Sequence, residues 1–185
     1  MSGKMIKYIA LLRGVNVGGK NKIVMAELKA AFLRSGFENV ITYINSGNII
    51  FNSDQALFTV KAVCENLIEA NFGMKITVGL ITADDLIEAL SRAPDWWNHD
   101  PDSKHNAIFV IPPATAAEVV AAVGETKPEF ERVADRGNVI FWSAPIRTFS
   151  RTRWSKIVEN KAVYHRITIR NANTTLRMAT LATES

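Results

Sequence analysis

Apolar positions recur along the chain with a spacing that switches between two and about 3.6 residues, and each switch marks a new element. Residues 5–12 are an almost unbroken apolar run closed by Arg13, which predicts a buried first strand. Met25, Leu28 and Phe32 fall at helical spacing, and the pattern continues to about Ser35 before Gly36 stops it. Two β-rich runs follow, Val40 to Ile44 and Asn48 to Asn52, around Asn45-Ser46-Gly47, and together they predict a hairpin. Leu57, Val60, Cys64 and Leu67 lie on one helical stripe with Gly73 as its C-terminal stop. Lys75 to Ile81 is expected as a strand, and Thr82 with Asp85 three residues later opens a short helix as a variant of the capping box.

The second half repeats this order. Ala26 to Phe32 matches Ala117 to Val123 at an offset of 91, and Phe37-Glu38-Asn39-Val40 matches Phe130-Glu131-Arg132-Val133 at 93. Gly47 to Phe51 matches Gly137 to Phe141 at 90, and Lys75 to Val78 matches Arg166 to Ile169 at 91. Thr82 pairs with Asn173, read as a second N-cap, at the same offset of 91. Five ordered matches at nearly constant offset are the mark of an internal duplication. The expected fold is therefore α+β, a tandem duplication of a ferredoxin-like βαββαβ unit, each copy followed by a short helix. In that unit the first and second strands are parallel, with the third between them and antiparallel to both. The subdomains are expected at residues 1–92 and 106–185, joined by a linker over 93–105 where Pro94 and Pro101 interrupt the periodicity. Trp96 and Trp97 in that linker read as aromatic anchors, with ligand stacking as the alternative.

Composition narrows the class. A chain of 185 residues with 48% apolar content needs neither metal nor disulfide to hold a core. Cys64 is the single cysteine, which excludes an intrachain disulfide and suits a reducing compartment. Tyr8 to Leu12 is too short for a secretory core, and no stretch approaches the roughly 20 apolar residues of a membrane span. A cytoplasmic protein with no membrane association is expected. The net charge of +4 is mild but segregated. Arg147 to Arg177 holds eight basic residues against Glu159 alone, and Arg13 to Lys22 holds three basic residues and no acid. Such a distribution points to an anionic partner, with a solvated basic helix face as the alternative.

The candidate chemistry is partial. Gly14, Gly19 and Lys20 fit part of a phosphate-binding loop, but Asn21 stands where a magnesium-holding Ser or Thr is required, so nucleotide hydrolysis is disfavoured. The glycines then serve a wide loop, or a looser anion site of backbone N–H groups and lysines. Asn48, Ile50, Asn138 and Ile140 occupy places where an RNA-binding sheet of this topology presents aromatics, so base stacking on the sheet is disfavoured. His99, His105 and His165 share no metal-ligand spacing with Cys64 or one another; no metal and no cofactor are expected. Arg170 and Asn171, at the end of a strand, are candidate ligand-binding residues. A further candidate edge follows from topology. Parallel first and second strands bring the loop after the first strand beside the hairpin between the second and third strands, which gathers Arg13, Asn16 and Lys20 with Asn45, Ser46 and Asn48. These groups can hold an oxyanion, or the loop and hairpin can simply brace each other. The same edge of the second half carries Ile111-Pro112-Pro113, without such groups.

Arg13 to Lys22, then Met25-Ala26-Glu27-Leu28, Tyr43 to Asn48, and Thr168 to Thr174 together resemble a bacterial family catalogued as domain of unknown function 1697. The resemblance covers essentially the whole chain and implies a two-subdomain α+β fold, but no activity, cofactor or site. Ala172 departs from the family pattern, in which a tryptophan stands between the two asparagines. The leading functional expectation is a binding module for an anionic, phosphate-bearing small molecule or nucleic acid. The alternatives are an enzyme for a small polar substrate and a protein-interaction module with a basic second half. Nucleic-acid binding is expected to be weak, carried by Arg147 to Arg177, and salt-dependent with a log–log slope of about −3 to −4 for about four neutralised phosphates.

Overall fold

The computed structural model describes residues 3–184. They form two compact units, one running to Leu86 and including the segment from Met178, the other Ile87–Arg177.

The first unit contains β1 (Ile6–Leu12), α1 (Met25–Arg34), β2 (Glu38–Tyr43), β3 (Asn48–Ser53), α2 (Leu57–Phe72) and β4 (Val78–Thr82). Its four-stranded sheet has the order β2-β3-β1-β4, with β3 antiparallel to both β1 and β2. β1 and β2 are therefore parallel, as the duplication argument requires. Tyr8, Ala10 and Leu12 of β1 share a core with Ile49 and Phe51 of β3 and with Leu28, Phe32, Val60, Cys64 and Ile68 of the two helices. Phe51 lies at the centre of an aromatic cluster, 4.5 Å from Phe37 and 5.2 Å from Phe32 between ring centroids. Ile9 and Leu11, on the other face of β1, are also fully buried, which explains a continuous rather than alternating apolar run. Cys64 belongs to this core, and burial pushes its thiol far above the ordinary range, with the Glu65 charge adding to the effect. α2 stops where Gly73 turns left-handed at φ +66°. β4 begins at Val78 rather than at Lys75. Thr82 caps α3 (Ala83–Ser91): its Oγ1 accepts from the Asp85 backbone N–H at 3.1 Å and donates to Asp85 Oδ2 at 2.7 Å.

The second unit repeats the order with β5 (Ser103–Val110), α4 (Ala116–Val123), β6 (Arg132–Arg136), β7 (Val139–Pro145) and β8 (Ile167–Asn171), paired as β6-β7-β5-β8. α6 (Ala172–Glu184) follows. The fold is thus two similar βαββαβ units, each with a trailing helix. Trp97 is the expected anchor: it is buried, its Nε1 donates to Asn106 O at 2.9 Å, and its ring meets Phe141 edge-on at 4.9 Å.

Two features depart from the sequence reading. Where the first unit has α2, the second has two 3₁₀ turns (Ile146–Arg151 and Trp154–Lys156) and the one-turn helix α5 (Lys161–Tyr164). The basic segment is therefore not a helix face. Its Trp154, Ile157 and Val163 are buried in the core with Ile108, Ile140 and Trp142. The hairpins also differ. Tyr43 pairs with Asn48 across four residues, whereas Arg136 pairs with Val139 across two. Tyr8 of β1 pairs with Phe51, and its counterpart Asn106 of β5 pairs with Trp142. Phe51 therefore corresponds to Trp142, not to Phe141. A one-residue slip in a strand moves every side chain to the other face, so the match at offset 90 is corrected to 91. Among the described residues, no helix is long and apolar enough to cross a membrane.

Candidate functional site

The loop after β1 and the β2–β3 hairpin lie together, as topology demands. Val17 and Lys20 form a bridge around Gly18 and Gly19, whose φ angles of +58° and +76° suit the two central residues of a primed hairpin turn. Lys20 N donates to Val17 O at 3.0 Å and Asn16 N to Asn21 O at 3.1 Å, so the loop is a miniature hairpin. The Asn16 carboxamide ties it down: Nδ2 donates to Ile23 O at 3.0 Å and to Asn45 O at 2.7 Å, while Oδ1 accepts from Ile23 N at 2.9 Å. Asn48 is fully buried and donates to Tyr43 O and Ser46 Oγ, both at 3.0 Å. Asn16 and Asn48 thus hold the edge together from within. The exposed groups they position are the side chains of Lys20 and Asn45, with Arg13 and Ser46 partly exposed. Arg13 Nη2 makes a long 3.5 Å contact with Thr77 Oγ1. Ile44 in the hairpin has φ +48° and is 47% exposed, an unfavourable conformation for a β-branched residue.

Asn171, not Asn173, caps α6. Its Oδ1 accepts from Thr174 N at 2.8 Å, three residues on, and its carbonyl accepts from Thr175 Oγ1 at 2.9 Å. The reason is register: Asn171 pairs with Asn106 where Thr82 pairs with Tyr8, so Asn171 is the true counterpart of the first-unit cap. Alanine at Asn171 should cost about 1 kcal/mol, and alanine at the exposed Asn173 close to nothing. Chemical denaturation of the two variants separates the roles. Arg170 is buried at the place Ile81 holds in the first unit, and desolvation pushes its guanidinium down to about 10, still charged at neutral pH. It donates to Thr168 Oγ1 at 2.9 Å and to Ile169 O at 2.8 Å.

A third place gathers charge. Between α4 and the 3₁₀ turns lies a cleft of about 260 Å³ walled by Lys127, Thr152, Arg153, Lys156 and Asn160, with Val123 and Ile157 beneath. It contains three cations and no carboxylate. Its wall is held by Glu131, only 3% exposed. Glu131 Oε1 accepts from Lys127 N at 3.1 Å and from Arg153 N at 3.0 Å, and Oε2 from Trp154 N at 3.1 Å. The carboxylate thereby joins the segment after α4 to the second 3₁₀ turn. Lys127 Nζ donates to Arg151 O at 3.0 Å, and Arg151 stacks 5.4 Å from the Phe130 ring. The charge surplus of the segment pointed to Arg153 and Lys156. Lys127 and Glu131 lie outside that segment, and only their contacts reveal them.

Two βαββαβ units in tandem define a duplicated ferredoxin-like α+β protein. The chain belongs to the family described as "Protein of unknown function (DUF1697)", whose model matches residues 5–141. It is similar to a solved structure, the conserved bacterial protein SP0830 from Streptococcus pneumoniae, at 32% identity with a TM-score of 0.85, covering 96% of this chain and 99% of that one. No curated protein matches the chain.

Proposed function

We propose that the chain is a binding module for a phosphate-bearing ligand, a nucleotide or a nucleic-acid backbone, taken into the cleft between α4 and the 3₁₀ turns. The observation behind this reading is the convergence of Lys127, Arg153 and Lys156 on one cleft with no acid in its walls. A cleft of about 260 Å³ suits a phosphate with its adjoining sugar better than a whole nucleotide buried end to end. The Glu131 bonds fix the backbone of the basic wall, so little ordering entropy opposes binding. A cytoplasmic location is part of the reading, since the buried Cys64 thiol fits a reducing compartment.

The test is fluorescence anisotropy with a labelled single-stranded oligonucleotide, competed by pyrophosphate. Three neutralised phosphates correspond to a log–log salt slope of about −2 on a single strand. Arg153→Ala and Lys156→Ala should each weaken binding by about three- to tenfold. Salt-insensitive binding, or unchanged affinity in the double variant, overturns the assignment.

A second reading places the anion on the first-unit edge, at Arg13, Lys20, Asn45 and Ser46, with Asn16 and Asn48 positioning them, and with Arg170 and Asn171 outside the site. The left-handed Ile44 favours it, because backbone strain collects at functional edges. Arg13→Ala and Lys20→Ala decide between the two: loss of binding at unchanged stability supports the edge.

A further inference from the structure

A larger cavity of about 550 Å³ lies in the second unit, away from the basic cleft, where the turn before β5 faces the first turn of α6. Its size falls within the range that holds small-molecule ligands. Four asparagines line it: Asn98, Asn106, Asn171 and Asn173. Three of these carboxamides have no hydrogen bond to any described residue, and Asn171 uses only its oxygen, leaving Nδ2 open.

The walls are stiff. His105 is clamped at both ring nitrogens, 2.6 Å from Ser143 Oγ and 2.6 Å from Asp100 O. A carbonyl only accepts, so Nε2 carries the proton and, in the neutral ring, Ser143 donates to Nδ1. This clamp fixes the turn to the β5–β7 sheet. The Trp97 indole bond to Asn106 O fixes it on the other side, and Asn98 is set in a left-handed conformation at φ +62°.

The two formal charges at the rim are already engaged. Asp100 accepts from Ser103 Oγ at 2.5 Å and from Asp102 N at 2.9 Å. Lys104 Nζ lies 4.3 Å over the centre of the Phe149 ring. What remains open is a set of groups that donate and accept together. A bare anion would use only their donors, and a cation only their acceptors. The aromatic rings in its lining are the imidazoles of His99 and His105, the latter clamped at both nitrogens, so a nucleobase would find no Trp, Tyr or Phe face to stack on. Vicinal hydroxyl groups, each a donor and an acceptor, match carboxamides on both counts.

We infer that this cavity binds a neutral polyhydroxylated small molecule of monosaccharide or polyol size through the carboxamides of Asn98, Asn106, Asn171 and Asn173. Three or four hydrogen bonds without a Trp, Tyr or Phe stacking face correspond to a Kd on the order of 1 mM.

The asparagine side-chain amide signals report binding directly in ¹⁵N–¹H spectra of the full chain. Titration with glucose, galactose, N-acetylglucosamine and myo-inositol should shift those signals saturably for at least one member. Asn173→Leu, which removes no bond within the protein, and Asn98→Gly, which keeps the left-handed backbone, should each weaken that binding about fivefold. Arg153→Ala should leave it unchanged, which separates this cavity from the basic cleft. The inference is overturned if no member of the panel produces a saturable shift. It is equally overturned if inorganic phosphate or adenosine moves the same signals at lower concentration.

Discussion

Replacing Glu131 with alanine should destabilise the second unit by about 3–5 kcal/mol. The carboxylate accepts from three backbone N–H groups, those of Lys127, Arg153 and Trp154. Trp154 is fully buried, so its N–H would lose its partner in an apolar core, with no water to replace it. Glu131→Gln keeps the shape and one accepting oxygen but turns an N–H₂ toward a donor, and should cost about 1–3 kcal/mol. All four tryptophans, Trp96, Trp97, Trp142 and Trp154, lie in the second unit, so urea unfolding followed by intrinsic fluorescence reads that unit selectively. A cost below about 1 kcal/mol for the alanine variant would show that the three bonds are replaced locally, and the keystone role would be lost. Phosphate affinity should fall with it, because the same carboxylate holds the backbone on which Arg153 stands.

The same glutamate shows what a sequence can and cannot disclose. The sequence repeat matches Glu38 with Glu131, yet Glu38 pairs with Asn52 in β2, whereas Glu131 stands one residue before Arg132, the register counterpart of Glu38, and is buried. The adjacent sequence does not announce the difference; the partners of Glu131 come from Arg153 and Trp154, 22 and 23 residues later. The first unit was legible because α1 and α2 carry unbroken helical stripes with Gly36 and Gly73 as stops, and periodicity records that directly. Residues 146–164 were not, since Trp154, Ile157 and Val163 reach the core from short turns that have no period. The neighbouring loop and hairpin of the first unit could be foreseen from strand direction alone. That Asn16 and Asn48 turn inward could not, because a carboxamide reads the same whether it meets a ligand or the chain's own carbonyls. Arg170, a candidate ligand-binding residue at a strand end, lies in the interior, at the position that the first unit fills with Ile81.

Gly47→Ala should cost the first unit about 3–4 kcal/mol, against about 1 kcal/mol for Gly18→Ala or Gly19→Ala. All three glycines have positive φ, so each substitution carries the left-handed penalty. Only Gly47 adds a collision: a methyl group there would stand 2.6 Å from Val15 Cγ2 and 2.8 Å from Leu12 Cβ, whereas Gly18 and Gly19 have nothing within 4 Å. Val15 and Leu12 are both buried, and Leu12 N is bonded to Gly47 O at 2.8 Å, so the hairpin cannot move away without breaking that bond. The single cysteine supplies the readout. Cys64 is buried in the first-unit core and its thiol is pushed far up by desolvation, so a thiol reagent labels it only when that unit opens. The labelling rate should rise by more than about a hundredfold in Gly47→Ala and about fivefold in Gly18→Ala. Val15→Ala introduced beside Gly47→Ala removes the nearer obstacle and should recover part of the loss, the remainder belonging to Leu12 Cβ and the φ penalty. If Gly47→Ala and Gly18→Ala label at the same rate, the close approach of hairpin and strand contributes nothing. The first-unit edge would then rest on the Asn16 and Asn48 bonds alone.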